Sequence, residues 1–238
     1  MGSVTKATAD VVICGAGIAG ISAAFHLSVK RGVKNILIID ERPPLTLTSD
    51  KSTECYRNWW PGPGDAMVSF MNHSIDLLEA MALETDNIFN LSRRGYLFLT
   101  GDVARADTLR DSAAEISQLG AGPLRVHDGG SSPQVYRRSP ANGFEGEPSG
   151  ADLILDTEVI MAHYPFVTEK VVAALHTRRC GWFSAQQMGI YMLEQAISHG
   201  ARLLNARVTG ATTRGGRVRA VRFQSADGDN QVSTDTFV

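Results

Sequence analysis

Three glycines and one aspartate carry the clearest chemistry in this chain. Gly15, Ala16, Gly17, Ile18, Ala19 and Gly20 form a G-x-G-x-x-G loop, and Asp40 stands 20 residues beyond the last glycine. In such a loop the first glycine permits a tight turn. The second lets the backbone approach a pyrophosphate, and the third lets the following helix pack closely on the preceding strand. That helix would turn free N–H groups and a partial positive charge toward the phosphates. Asp40 would accept hydrogen bonds from ribose hydroxyls, with Glu41 as the alternative contact, while Arg42 keeps a 2′-phosphate, and so NADP, open as a further reading. The chemistry is dinucleotide binding, and the loop alone does not choose between NAD and FAD.

The loop has this meaning only if a strand precedes it and a helix follows. Asp10 to Cys14 is a short apolar, β-branched run stopped by glycine, as in a buried parallel strand, and Asn35 to Asp40 is a second such run. Between them Ile18, Ile21, Ala24, Phe25 and Leu27 to Val29 give a helix one apolar face, ending near Gly32. Together these make a βαβ unit. Two prolines, Pro43 and Pro44, then open a polar loop to Arg57, and Trp59 to Gly64 reads as a rigid aromatic turn. Asp65 is the expected N-cap of a helix from Ala66 to about Leu83. Gly95 to Thr100 reads as a strand, and Ala104 to Leu119 as an amphipathic helix.

Between Gly120 and Gly150, 15 of 31 residues are Gly, Pro or Ser, so an extended or mobile loop is expected there. Ala151 to Phe166 is an apolar run that fits helix or strand. Ser184, with Gln187 as capping-box partner, opens a helix through His199 that Gly200 stops. Strands follow at Arg202 to Leu204, Val208 to Thr213, Arg217 to Gln224 and Gln231 to Val238, the middle pair turning at Gly215-Gly216. Met1 to Ala9 is expected to be a frayed polar arm.

Composition narrows the partners. With 23 basic and 25 acidic residues among 238, the net charge is −2, and 43% of residues are hydrophobic. That balance supports a globular core and gives no global attraction for nucleic acid or an anionic membrane. Cys14, Cys55 and Cys180 are odd in number and lack a CxxC pair, which fits a reducing compartment, so the expected location is cytoplasmic. The six histidines are scattered without metal-ligand spacing, so no metal site is expected. Val11 to Leu27 is too short and glycine-rich for a membrane span and lacks the flanks of a signal peptide.

Val11 to Gly20, Ile36 to Arg42 and Gln187 to Val208 resemble the FAD-dependent oxidoreductases of the D-amino-acid oxidase, glycine oxidase and sarcosine oxidase group. The segment Thr48 to Pro61 is similar to a branch of that group whose members mostly lack an assigned substrate. The resemblance implies FAD as cofactor and an α/β fold: a Rossmann-like, discontinuous FAD-binding domain with an inserted, partial α+β substrate domain. On that pattern residues 1–60 begin the FAD-binding domain, 61–183 are the insertion with a flexible 120–150 loop, and 184–238 return to it. The implied reaction is hydride removal from a carbon bearing an amine, in a small-molecule substrate that is an amino acid or secondary amine.

The same resemblance suggests site residues. Ser49, Ser52 and Thr53 fall where relatives place loop donors near the pyrophosphate and flavin, and Val208 matches a position beside the adenine. Tyr56, Arg57, Trp59 and Trp60 are the substrate candidates, and Arg57, Arg93 and Arg94 could clamp a substrate carboxylate. Relatives continue beyond this length, so the resemblance implies absent flavin-domain strands and expects self-association through an incomplete sheet. Three readings stand: an FAD-dependent amine or amino-acid oxidoreductase, a non-catalytic nucleotide-binding remnant or partner subunit, and an NAD-dependent dehydrogenase.

Overall fold

In the computed structural model, which describes residues 7–130 and 135–238, the apolar runs Val11–Cys14 and Ile36–Asp40 become neighbouring parallel strands. Arg202–Asn205 pairs beside Ile36–Asp40 and Thr236–Phe237 beside Val11–Cys14, completing a four-stranded parallel sheet. The side chains alternate between two buried faces. Val11, Ile13, Ile36 and Ile38 pack with Ala24 and Ala196 of the helical layer and with Ala201 just past its second helix. Val12, Leu37 and Ile39 pack with Ala206, Val221, Phe223 and Val232 on the other side. Burial on both faces is why these strands are apolar throughout instead of alternating.

The helical layer comprises Ile18–Phe25, continued by a wider turn over His26–Lys30, and Ala185–Ser198. The opposite layer is a second sheet in the order Ala7–Thr8, Gly228–Ser233, Arg217–Ser225, Arg207–Arg214. Its hairpin closes at Gly215 and Gly216, both at positive φ, as a two-residue turn between paired Arg214 and Arg217 requires. Two expectations are corrected in this layer. Ala7 and Thr8 are not frayed but pair in parallel with Val232 and Ser233, while Met1 to Lys6 lie outside the described residues. The Gln231 to Val238 run is divided between the two sheets, because the buried Thr234 hydroxyl bonds the carbonyls of Asp10 and Thr236 and turns the chain.

These layers form one compact unit, Met1–Ser52 with Ala185–Val238; the second is Thr53–Ser184. The first boundary therefore falls after Ser52 instead of at Trp60. The cause is strand pairing: Cys55–Arg57 lies antiparallel to Cys180–Trp182, and the buried Tyr56 hydroxyl donates to the Ser92 carbonyl. The second unit centres on a sheet ordered Tyr96–Thr100, Ala173–Thr177, Ala151–Ile154, Leu124–His127. One face carries Ala151, Leu153 and Leu175 against Trp59, Val68, Ala113 and Ile116, the last three from the helices Ala66–Glu84 and Val103–Ile116. The other face carries Ile154 and Ala174 against Tyr136, Ile160 and Tyr164.

Three further readings change here. Asp65 makes no side-chain capping bond, whereas Asp102 caps its helix by accepting from the Ala104 N–H at 3.0 Å. Ala151 to Phe166 is both alternatives in succession, a strand at Ala151–Ile154 and a helix at Thr157–His163 whose Asp156 cap accepts from the Glu158 N–H. The 120–150 stretch, of which 131–134 lie outside the described residues, is not a simple loop. It contains the strand Leu124–His127, and Tyr136, Ser139 and Phe144 are buried.

Candidate functional site

The three glycines of the loop play three different steric roles. Gly15 has φ +110, and a Cβ added at Gly15 or Gly17 would meet no atom within 4 Å. A Cβ at Gly20 would lie 2.0 Å from the Gly15 carbonyl oxygen and 3.2 Å from Ile13 Cγ2. Gly20 is thus the contact between helix and strand, while the surface over Gly15 and Gly17 is open to a ligand. Gly17 begins the helix with no side-chain cap, and no acidic residue occupies the first turn. The first helical bond runs from the Ile21 N–H to the Gly17 carbonyl. The N–H groups of Ile18, Ala19 and Gly20 therefore have no helical acceptor, and the terminus suits an anion.

Asp40 closes the strand next to this loop. Its Oδ2 accepts from the Ala16 N–H at 2.7 Å and its Oδ1 from the Arg42 N–H at 2.9 Å. A carboxylate offers about four acceptor positions, so two remain. Glu41, the alternative, turns to exposed cations: Arg207 at 3.8 Å and Arg42 at 4.0 Å. Cys14 ends the neighbouring strand, and partial burial together with the Asp40 charge pushes its thiol pKa up, keeping it protonated.

A clamp that sequence reading missed holds the loop from behind. The Leu45 N–H donates to the Ala16 carbonyl at 2.9 Å, and the Gln186 amide donates to the Leu45 carbonyl at 3.0 Å. Buried Leu45, at φ 63, fills the space that a Cβ at Gly189 would occupy, 2.6 Å from its Cδ1. The visible signal was a glycine inside the helix Ala185–Ser198, which costs helix stability and so marks a close approach.

The other named residues are dispersed. Ser49 is buried in the short helix Thr48–Lys51, Ser52 is exposed, and Thr53 begins the second unit. Val208 is half-buried, pairs with Phe223 and packs on the cluster of Val12 and Ile39. In the second unit, Tyr56 and Trp59 are core residues, about 5% and 4% exposed. Burial raises the Tyr56 pKa well above the ordinary tyrosine range. The Arg57 guanidinium stacks 4.0 Å over the Trp60 ring and 5.7 Å from the Tyr96 ring, and Trp60 Nε1 donates to the Arg57 carbonyl. Arg57 Nε is buried with no hydrogen-bond partner among the described residues. Arg93 is buried, ion-paired to Glu79 at 3.6 Å and donating to the Pro148 carbonyl; burial lowers its pKa. Arg94 is exposed and bonds the Ser92 hydroxyl.

A buried ionic cluster in the second unit was also missed. Asp152 receives Arg125 through two bonds of 2.8 and 2.9 Å, His127 Nε2 at 2.8 Å, and Arg178 Nε. Arg178 continues to Ser139 and to the Arg137 carbonyl, tying the 137–139 backbone to the sheet. Burial alone would raise the Asp152 pKa, but the bonds from Arg125 and His127 and the charge of Arg178 outweigh it and hold the carboxyl well below the usual range.

A model of the family described as FAD dependent oxidoreductase matches residues 10–238. The chain belongs to this family. Among solved structures it is similar to an L-proline dehydrogenase from P. horikoshii, with a TM-score of 0.73 and 19% identity over 98% of this chain and 52% of that one. It is similar to a glycine oxidase from Bacillus cereus ATCC 14579, with a TM-score of 0.72 and 14% identity over 97% of this chain and 56% of that one. It is also similar to an L-alpha-glycerophosphate oxidase from Mycoplasma pneumoniae with FAD bound, with a TM-score of 0.71 and 14% identity over 97% and 53%. At these identities the likeness is one of fold, and the chain spans about half the length of the structures it matches. No curated protein matches. Among the described residues, no helix is long and apolar enough to cross a membrane, and no group of three His, Cys, Asp or Glu is placed to hold a metal. For a member of the FAD-dependent oxidoreductases, the open glycine surface and the uncapped helix are the local features that suit a pyrophosphate.

Proposed function

We propose that this chain binds FAD through Gly15 to Gly20 and Asp40, and that it serves the oxidation of a C–N bond in an amino acid or secondary amine. The observation that carries the cofactor assignment is the division of labour among the glycines. Gly20 is filled by its own fold, while Gly15 and Gly17 face open space beside an uncapped helix terminus. The N–H groups of Ile18, Ala19 and Gly20 would hold the pyrophosphate, and the two remaining acceptor positions of Asp40 would hold ribose hydroxyls. Ser49, Ser52, Thr53 and Val208 remain proposed cofactor neighbours on family resemblance.

Bound FAD would supply the oxidising power by taking up a hydride from the carbon that bears nitrogen. The second unit's contribution, in this reading, is recognition. Arg57 is the arginine we assign to a substrate carboxylate, because it has a buried donor without a partner and forms no ion pair among the described residues. Arg93 is committed to Glu79 and Pro148. The amine class is supported by the names of the proline dehydrogenase and glycine oxidase. The glycerophosphate oxidase shares the fold under a different substrate name, so a substrate panel must include glycerol 3-phosphate. Two exposed free cysteines suit a reducing compartment, and cytoplasm is the proposed location. The test is anaerobic titration of the FAD-loaded chain with amino acids, N-methylated amino acids and glycerol 3-phosphate. Bleaching of the flavin band by an amine supports the reading; bleaching by glycerol 3-phosphate alone contradicts the substrate class.

A further inference from the structure

We infer that the second unit carries a binding site for a small free carboxylic acid with a flat apolar body, of the arylalkanoate class. The site is a cavity of about 330 Å³, at the lower end of the range of ligand pockets. Its apolar wall includes Leu97 and Leu99, on one face of the strand Tyr96–Thr100, and Phe166. Leu99 and Phe166 are 41% and 71% exposed, so this wall is wetted apolar surface that a ligand would cover.

The charge of the cavity is one-sided. Arg94 and Arg138 line it, and among the described residues no carboxylate does. Each arginine bonds only a neutral acceptor where a partner is seen: Arg94 the Ser92 hydroxyl at 3.3 Å, and Arg138 the His163 carbonyl at 3.3 Å. Arg138 also lies over the rings of Tyr164 and Phe166, at 5.4 and 6.0 Å, which holds its planar fork above the apolar wall. A guanidinium matches a carboxylate through paired N–H bonds, and both arginines keep N–H groups free for that purpose.

The floor demands no other polar group from a ligand. His176 Nε2 lies 3.2 Å from the Arg94 carbonyl, which can only accept, so Nε2 carries the hydrogen. Nδ1 therefore accepts from the Tyr136 hydroxyl at 2.8 Å, and Tyr136 in turn takes the hydroxyl hydrogen of Tyr164. Ser139 accepts from Arg178. With these groups engaged, a ligand meets ring faces and leucines along its body and guanidinium N–H groups at one end.

Calorimetric titration of the full chain with 3-phenylpropionate tests the site. Saturable binding is expected, with 3-phenylpropanamide bound about tenfold or more weaker, since the neutral amide lacks the charge that the guanidinium groups pair with. Arg138→Gln and Arg94→Gln should each weaken binding similarly, and Arg57→Gln should leave it unchanged. Both substituted arginines are exposed, so the thermal transition should stay within a few degrees of the parent. Should one variant fail to fold, the other decides. Absence of binding, equal affinity for the amide, full competition by inorganic phosphate, or loss in Arg57→Gln with retention in the other two would overturn the proposal. FAD uptake, measured on the same samples, separates this site from the cofactor assignment.

Discussion

The Asp40 carboxylate accepts the Ala16 N–H at 2.7 Å, across 24 residues of sequence. This bond joins the end of one parallel strand to the middle of the glycine loop and aims the carboxylate along the loop surface. The same oxygen pair also accepts Arg42 N–H, so both strand and following turn are fixed. Asp40→Ala removes the loop contact and the proposed ribose acceptor together. FAD affinity should fall about 10- to 100-fold, the equivalent of one or two charge-assisted hydrogen bonds. Quenching of FAD fluorescence on titration measures it, and unchanged affinity would show that Asp40 has no part in binding.

Gly17→Ala and Gly20→Ala should separate cofactor binding from folding. At Gly20 the new methyl meets the Gly15 carbonyl at 2.0 Å, which forces helix and strand apart and costs about 1–3 kcal/mol or more. At Gly17 it meets nothing, so the thermal midpoint without FAD should hold while FAD affinity drops by at least about tenfold. Equal loss of stability in both variants would contradict the assigned roles.

Asp152→Asn should be strongly destabilising, by about 3–5 kcal/mol, because it leaves Arg125 and Arg178 without their buried counter-charge. The pH dependence has a definite sign. Asp152 has a depressed pKa in the folded state, so its stabilisation is complete above the unfolded value of about 3.9 and is lost as pH falls below that value. Urea unfolding at pH 3 to 5 should show that loss in the parent and a shallower dependence in the variant.

His176 predicts a second, higher window. Burial, with the Arg178 charge beside it, pushes its pKa down to about 4. Between about pH 6.5 and 4 the unfolded chain binds a proton that the folded chain refuses, so stability falls as pH falls, by on the order of 3 kcal/mol across the window. His176→Gln should flatten that slope, read from urea midpoints at pH 4.5, 5.5 and 6.5. A parallel dependence in parent and variant would remove His176 as its source.

The parts legible in the sequence are those built by near neighbours. Gly15 to Gly20 lies directly between a strand and a helix, and both strands of the βαβ unit are apolar because both their faces are buried. Sequence spacing alone therefore located the loop and Asp40. The Asp152 cluster was invisible because its members, Arg125, His127, Asp152 and Arg178, meet only through sheet register: His127 pairs with Ile154, and Asp152 with His176. Charged residues in a Gly- and Pro-rich stretch read as solvated loop, whereas Arg178 reaches that stretch from a strand end and binds it. The Leu45 clamp was hidden for a similar reason, since Gln186 and Gly189 come from a helix more than 140 residues away. Tyr56 and Trp59 show the converse limit: the family resemblance made them substrate candidates, yet a core also selects large aromatics.

The most direct test of the cofactor assignment is the visible absorbance of the purified chain after incubation with FAD and removal of free nucleotide. A yellow protein is expected, with a bound flavin band near stoichiometric amount that is weaker in the Asp40→Ala and Gly17→Ala variants. A folded chain that stays colourless after incubation, with no quenching of FAD fluorescence, would contradict it.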